Sequence, residues 1–200
     1  MTEQVTVHAN AEATQSESQP PRGNMSVKLH VEAFEPCPIH APNPCDCPKK
    51  SVGSVCKDND LVTNQFFDLV CLEMLAVTPV SVKDTAGTTN SETSSATIGS
   101  APKIYAGTGT TTADVSDNKL QTPTENVAAT VGTPPSGSGA SGSLTITGTV
   151  TAGALRAYTE VGLQVTVNGH NYLVLHDVFS PALTVSSGGT LATSYIVTFS

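Results

Sequence analysis

The chain has 200 residues, of which 38% are hydrophobic and 13% charged, and its formal net charge is −8. A negative chain lacks the basic surface that releases counterions from a phosphate backbone, so we expect no nucleic-acid partner. It has no polybasic patch and no apolar run of the roughly eighteen residues typical of a transmembrane helix, so we expect no membrane partner either.

The first 23 residues, MTEQVTVHANAEATQSESQPPRG, have neither a basic n-region nor an apolar h-region, so we expect no secretory signal peptide. Their polar composition predicts an extended arm that packs onto something else, if it packs at all. The next stretch, SVKLHVEAF, alternates apolar and polar residues, which predicts a half-buried strand. Its expected buried residues are Val27, Leu29, Val31 and Ala33.

Four cysteines follow in a proline-rich loop: Cys37, Cys45, Cys47 and Cys56. The loop has too few apolar residues to hold its shape by burial, so disulfides are the favoured interpretation. Cys45 and Cys47 are too close to bond comfortably to each other, and the chain has an odd number of cysteines. If Cys71 is buried and free, the other four can form two bridges within the chain; otherwise the leftover thiols reach another polypeptide. We predict that at least one of the four forms a disulfide to another protein chain.

Zinc is the alternative interpretation of the same loop. Its candidate ligands are Cys37, His40, Cys45, Cys47 and Cys56. A C-x-C pair without a second knuckle fits structural zinc sites poorly, and the neighbouring prolines stiffen the loop against wrapping an ion. We therefore expect no metal and no other cofactor.

The segment LVTNQFFDLVCLEMLAVTP has the period of an amphipathic helix. The apolar stripe expected to be buried consists of Phe67, Val70, Cys71, Met74 and Leu75. Thr63 or Asn64 is suited to cap the start of this helix. Cys71, on the apolar stripe, is expected to be a buried and unreactive thiol.

Two polar stretches, 84–100 and 132–143, predict loops or linkers because they are rich in Ser, Thr and Gly. Between them a short strand is expected at 103–106, followed by a turn-rich segment. SLTITGTVT then predicts a strand with Gly148 as a bulge. TLATSYIVTFS predicts the final strand, with Leu191, Tyr195, Val197 and Phe199 on one face.

A hairpin is predicted where VGLQVTV and HNYLVLH flank Asn168-Gly169, because this dipeptide favours a type I′ turn. A two-residue turn would pair Val167 with His170, Val165 with Tyr172, Leu163 with Val174, and Val161 with His176. The whole pattern predicts an all-β protein, an antiparallel β-sandwich with one short helix. We assign residues 57–200 to the sandwich and 1–56 to a long, Pro/Cys-rich N-terminal arm.

The sequence suggests no catalytic site, since it lacks G-x-S-x-G, H-E-x-x-H and P-loop motifs. His176 and Asp177 are adjacent, but neighbouring strand residues point to opposite faces and do not form a dyad easily. His170 and His176 are expected at the two ends of the hairpin's apolar face. Residues 58–60, DND, lack the later ligands of a calcium loop. We therefore expect no catalytic residues and a protein that is not an enzyme.

Four segments occur in an order that resembles a family of small β-sandwich structural proteins of tailed bacteriophages. They are Leu61–Asn64, Gly107–Leu120, Glu160–Leu163 and Phe179–Phe199. The resemblance implies a virion structural protein with a capsid-decorating or linking, collar, tail or baseplate role. It implies as partners other virion proteins, namely major capsid, neck or tail proteins, and copies of the chain itself. It also implies assembly in the host cytoplasm and release by lysis, after which disulfides can form.

Two other functions remain open at this stage. A carbohydrate-binding adhesin module would need exposed aromatic residues, and only 4% of the chain is aromatic. A zinc-binding interaction module would use the cysteine-rich loop, and metal analysis of the purified protein would identify it.

Overall fold

The computed structural model describes residues 25–36, 50–58, 61–74, 79–93, 102–133 and 142–199. These ranges contain one helix, α1, at Asn64–Met74. The strands are β1 Met25–Phe34, β2 Ser51–Asp58, β3 Val80–Lys83, β4 Thr89–Glu92, β5 Lys103–Gly107, β6 Pro123–Ala128, β7 Thr130–Val131, β8 Gly142–Thr151, β9 Arg156–Val167, β10 His170–Val185 and β11 Thr190–Phe199. The predicted all-β class with one short helix is confirmed.

Two antiparallel sheets build a sandwich-like arrangement. Their strand orders are β2-β1-β11-β8-β7 and β10-β9-β5-β6, and β3 and β4 form a separate hairpin. Successive strands β6 and β7 belong to different sheets, so the chain passes from one sheet to the other at Ala129.

The core lies between the two sheets and uses the alternation seen in the sequence. All four residues expected to be buried on β1 are buried, as are Leu191, Tyr195 and Val197 of β11. The two strands pair over ten residues, from Met25 with Phe199 to Phe34 with Thr190. β1 is an inner strand of its sheet and β2 pairs with it, so Met25–Phe34 and Ser51–Asp58, within the range expected to form an arm, are strands of the sandwich.

Gly148 does not form the predicted bulge. β8 pairs with β11 without a register shift, and Gly148 lies opposite Thr193. A Cβ atom on Gly148 would lie 2.9 Å from Val127 Cγ1 and 3.0 Å from Ile104 Cδ1. Glycine is needed here because side chains of the opposite sheet fill the space that a side chain would take.

Helix α1 presents a different face to the sandwich from the one predicted. Its buried residues are Gln65, Leu69 and Leu72, whereas Phe67 is 52% exposed. At the helix start the Thr63 hydroxyl donates to the Leu173 carbonyl at 2.6 Å, so this bond ties the start of α1 to β10. The Cys71 and Met74 side chains, and Leu75, lie outside the described part of the chain.

The first stretch predicted as a loop, 84–100, contains part of the β3–β4 hairpin. Asp84 Oδ1 accepts hydrogen bonds from the backbone N–H groups of Ala86 and Thr88, and Oδ2 accepts one from Asn90. These bonds build the turn at 84–88, so the loop prediction is wrong only for Thr89–Glu92, which form β4, while 94–100 lie outside the described residues. An aspartate that binds its own downstream backbone in this way is a common turn signal.

Candidate functional site

The hairpin of β9 and β10 has the predicted turn but not the predicted register. Asn168 and Gly169 have φ angles of 50° and 87°, as a type I′ turn requires. Val167 pairs with His170 and Val165 with Tyr172, as predicted, but a bulge after Leu173 shifts the pairing by one residue. The pairing predicted for Leu163 and Val161 is therefore wrong.

The bulge decides where the polar residues of β10 point. Leu163 pairs with Leu175, and Val161 pairs with Asp177 rather than with His176. Because side chains alternate along a strand, a shift of one residue moves every following side chain to the other face. His176 therefore lies on the outer face of its sheet, fully buried beneath residues 108–122, and is not a rim residue.

His176 lies between two carboxylates. Its Nδ1 is 2.8 Å from Asp117 Oδ2, and its Nε2 is 3.2 Å from Glu160 Oε2. The side chains of His176 and Glu160 are fully buried, while that of Asp117 is 28% exposed. We call these three residues the Glu160 cluster.

The Glu160 carboxylate also accepts three backbone hydrogen bonds. Its Oε1 accepts from the N–H groups of Gly109 at 2.9 Å and Thr122 at 2.7 Å, and its Oε2 accepts from Gln121 at 3.0 Å. Burial by itself raises the pKa of Glu160, but the hydrogen bonds from His176 and the backbone outweigh it and hold the pKa below the usual range. Glu160 thus binds both ends of the 108–122 segment as an ionised group.

Glycines make room for this contact. A Cβ atom on Gly109 would lie 2.7 Å from Glu160 Oε1, and one on Gly162 would lie 2.5 Å from Leu120 Cδ1. Leu120 is buried against the sheet at that point. Two of the segments that carry the phage resemblance, Gly107–Leu120 and Glu160–Leu163, are therefore in direct contact.

A second buried carboxylate, Glu92, holds the β3–β4 hairpin to the turn between β9 and β10. It accepts hydrogen bonds from the Tyr172 hydroxyl and from Asn168 Nδ2 at 2.6 Å, and it lies 2.9 Å from His170 Nδ1. Burial raises the pKa of Glu92, but these three hydrogen bonds together lower it below the usual range. His170 itself is half exposed, in keeping with its expected place at a rim.

Asp177 faces the other side of the sheet from His176, as the alternation of a strand predicts. Its Oδ1 lies 2.9 Å from Lys57 Nζ, which also donates to the Val178 carbonyl at 3.0 Å. The Asp177 side chain is almost fully buried, and burial raises its pKa although Lys57 opposes the shift. Because Lys57 is on β2 and Asp177 on β10, this ion pair links the edges of the two sheets.

The Glu160 cluster is arranged to hold the chain together. A Ser or Cys nucleophile is commonly activated by a histidine within hydrogen-bond reach of its hydroxyl or thiol. Within the ranges that the structure describes, both ring nitrogens of His176 face carboxylates. Nothing in the sequence marked Glu160, Glu92 and Asp117 as site residues, because a single acidic residue in a strand or loop is normally solvent-exposed.

Four of the predicted site residues lie outside the part of the chain that the structure describes. They are Cys37, His40, Cys45 and Cys47. Cys56 is an exposed free thiol on β2, opposite His30 of β1. The disulfide and zinc interpretations thus both stay predictions, and the described ranges contain no group of His, Cys, Asp and Glu suited to a metal ion.

No helix among the described residues is long and apolar enough to cross a membrane. No family model matches the chain, and neither curated proteins nor solved structures match it significantly.

Proposed function

We propose that the chain is a non-enzymatic structural component of a tailed-phage virion. In this role it decorates or links the capsid, or belongs to the collar, tail or baseplate, and it stabilises the particle. The proposal starts from the resemblance of the four sequence segments. It gains support from the contact between two of them, since Glu160 of one segment binds the backbone of the other at Gly109.

The observation that carries the proposal is that hydrogen bonds within the chain occupy both oxygens of the Glu160 carboxylate. Each of its oxygens is engaged by the chain's own groups: three backbone N–H donors and the His176 ring. A buried carboxylate that accepts several hydrogen bonds from a loop holds that loop in one conformation. Such a site favours a rigid scaffold over a centre that must receive and release a substrate.

A rigid sandwich suits a particle that has to survive outside the cell. The Lys57–Asp177 pair joins the two sheets at one side, and Glu92 joins the small hairpin to the sandwich. The predicted partners are neighbouring virion proteins and other copies of the chain. Assembly would take place in the host cytoplasm before lysis.

A deletion experiment tests the proposal. Phage from which this coding sequence has been removed should yield particles that lose infectivity or DNA faster than wild type on heating or dilution. Supplying the chain during assembly should restore the stability and infectivity of the particles. Particles of unchanged stability and infectivity would contradict the proposed role.

A further inference from the structure

A cleft of about 320 Å³ lies on the outer face of the β10-β9-β5-β6 sheet, beside the 108–122 segment. Its lining includes an aromatic ring, two side-chain amides, a cation and a hydroxyl, which belong to Tyr105, Gln164, Asn171, Lys119 and Thr85. We call it the Tyr105 cleft. Small-molecule sites typically have a volume of this order and a few convergent polar groups.

Hydrogen bonds hold the walls of the Tyr105 cleft in place. The Thr85 N–H donates to the Asn171 carbonyl at 2.8 Å, which ties the turn on one side of the cleft to β10. Asn118 Nδ2 donates to the Asp84 carbonyl at 2.6 Å, which ties the same turn to the 108–122 segment. The walls are therefore preformed, so a ligand can bind without the cost of ordering them.

The polar groups of the cleft are available to a ligand. Among the described residues, the side chains of Tyr105, Gln164 and Lys119 make no hydrogen bond or ion pair. Asn171 Oδ1 accepts a hydrogen bond from the Thr166 hydroxyl at 2.8 Å, and the NH2 group of the same amide remains for another partner. In this respect the cleft differs from the Glu160 cluster, whose polar groups are satisfied within the chain.

The cleft also has an apolar surface. Tyr105 is half-buried, whereas the other three tyrosines of the chain are fully buried. It pairs with Gly162 of β9, and Leu120 occupies the space that a side chain on this glycine would take. The negative face of an aromatic ring attracts polarised C–H groups, and amides bind hydroxyls. This combination suits a sugar, which has a C–H face and a hydroxylated edge.

The charges around the cleft favour an acidic sugar. The chain has a net charge of −8, yet the described residues place no Asp or Glu in the lining of the cleft. Lys119 is exposed in the lining, and Lys103, which pairs with Gln164, is exposed beside it. Phosphate is typically bound by Arg or by a helix N-terminus. The described lining contains neither, so a carboxylate is the better match.

Two other clefts lack this combination. The described lining of a cleft of about 510 Å³ includes Thr110 and Phe179 but no charged residue. A cleft of about 260 Å³ at β1, β8 and β11 includes His30 and Glu32 but, among the described residues, no Phe or Tyr. The Glu32 carboxylate would also repel an acidic ligand.

We propose that the Tyr105 cleft binds a uronic acid unit of an acidic polysaccharide. The C–H face of the sugar packs on Tyr105, and its carboxylate pairs with Lys119. The amides of Gln164 and Asn171 bind its hydroxyls. A single exposed cation contributes little, so one cleft binds weakly, and a particle with many copies would bind more tightly through effective concentration. This binding role goes beyond the proposed function and does not rest on it.

Nuclear magnetic resonance titration of the full-length, ¹⁵N-labelled chain tests the site. The acidic probes are tetragalacturonate and a hyaluronan tetrasaccharide, and maltotetraose is the neutral control. At least one acidic probe should cause saturable shifts of the amide signals of Tyr105, Lys119 and Gln164, and salt should weaken its binding. Maltotetraose should bind about two- to fivefold more weakly. Absence of saturable binding of both acidic probes at about 10 mM would overturn the proposal.

Variants separate the role of the ring from that of the charge. Tyr105→Ala should weaken the binding of acidic and neutral probes by about threefold or more, whereas Tyr105→Phe should retain it. Lys119→Gln should remove the preference for the acidic probe and leave the affinity for maltotetraose unchanged. The matched control is Lys50→Gln, at a position that is 74% exposed, which should change neither affinity.

Circular dichroism and thermal melting verify that each variant is folded. If Tyr105→Ala does not fold, Lys119→Gln decides, because it changes an exposed side chain. An unchanged preference in folded Lys119→Gln, or an equal loss in Lys50→Gln, would overturn the proposal. Tighter binding of a single-stranded oligonucleotide than of either acidic probe would also contradict it. All these measurements use the isolated chain, so the binding role and the proposed virion role can fail separately.

Discussion

Replacing Glu160 by Gln removes the charge of the buried carboxylate while keeping the size of the side chain. Glu160 accepts four hydrogen bonds, three of them from backbone N–H groups. A glutamine amide has only one oxygen, so its NH2 group must face at least one backbone N–H donor. The variant therefore leaves a buried donor without an acceptor and removes the charge from the bonds that remain.

The expected cost can be worked from these contacts. Losing one hydrogen bond to a charged group costs about 1.5–3 kcal/mol, and the unsatisfied buried donor adds to this. The best orientation of the glutamine keeps its oxygen towards Gly109 and Thr122 and turns its NH2 towards Gln121 and His176. We therefore expect Glu160→Gln to lower the free energy of unfolding by about 3 kcal/mol, or the melting temperature by about 6–12 °C in a chain of this size.

Urea unfolding measures the global effect, and amide hydrogen exchange measures the local one. Exchange at Gly109, Gln121 and Thr122 should accelerate more than exchange in β1, because the lost bonds hold the 108–122 segment. The matched control is Glu35→Gln, a substitution at an exposed position, which should change stability by no more than about 0.5 kcal/mol. If Glu160→Gln were as stable as this control and its exchange pattern were unchanged, the assigned role of Glu160 would be refuted.

Four further predictions follow from the fold and the sequence. The stabilisation from ionised Glu160 is fully present above the ordinary pKa of 4.5 and is lost as the pH falls through the lower folded-state pKa. Below pH 4.5 the urea midpoint should therefore fall less in Glu160→Gln than in wild type. Parallel curves of urea midpoint against pH for the two proteins would contradict this prediction. Leu163→Asp buries an unpaired charge and should lower the free energy of unfolding in urea by about 3 kcal/mol or more. The control Leu155→Asp, at a position that is 68% exposed, should lower it by about 0.5 kcal/mol or less. Equal stabilities of the two variants would place Leu163 outside the core. Gly148→Val should cost about 1–3 kcal/mol because its side chain collides with the opposite sheet, and a neutral effect in the same assay would show that the sheets can separate there. Intact assemblies with blocked free thiols should give a higher-mass band on electrophoresis without reductant, and this band should disappear with reductant. The disulfide would involve at least one of Cys37, Cys45, Cys47 and Cys56. Monomers both with and without reductant, together with stoichiometric zinc, would favour the metal interpretation.

Local sequence signals predicted the regular strands well. The alternation of β1 and β11 identified their buried residues, and Asn168-Gly169 identified the type I′ turn, because both features depend on neighbouring residues alone. The Asp84 turn was missed although Asp84 binds its own downstream backbone. There, a stretch rich in Ser and Thr resembled a linker more than a hairpin.

The site could not be predicted because it depends on tertiary contacts. Nothing near Val174 indicates that β10 gains a residue there, yet this bulge turns His176 away from the core and Asp177 into it. The start of α1 is tied to β10 by a bond from Thr63 to Leu173, which is 110 residues distant in the chain. Glu160 is buried only because Gly109, Gln121 and Thr122 bring their N–H groups to it.

The proposed function requires that the chain be built into a virion. Quantitative mass spectrometry of density-purified particles, washed with nuclease and high salt, tests it most directly. We predict that the chain remains with the particle at a fixed number of copies relative to the major capsid or tail proteins. Its removal by the wash, or its recovery only in the soluble fraction of the lysate, would contradict the claim.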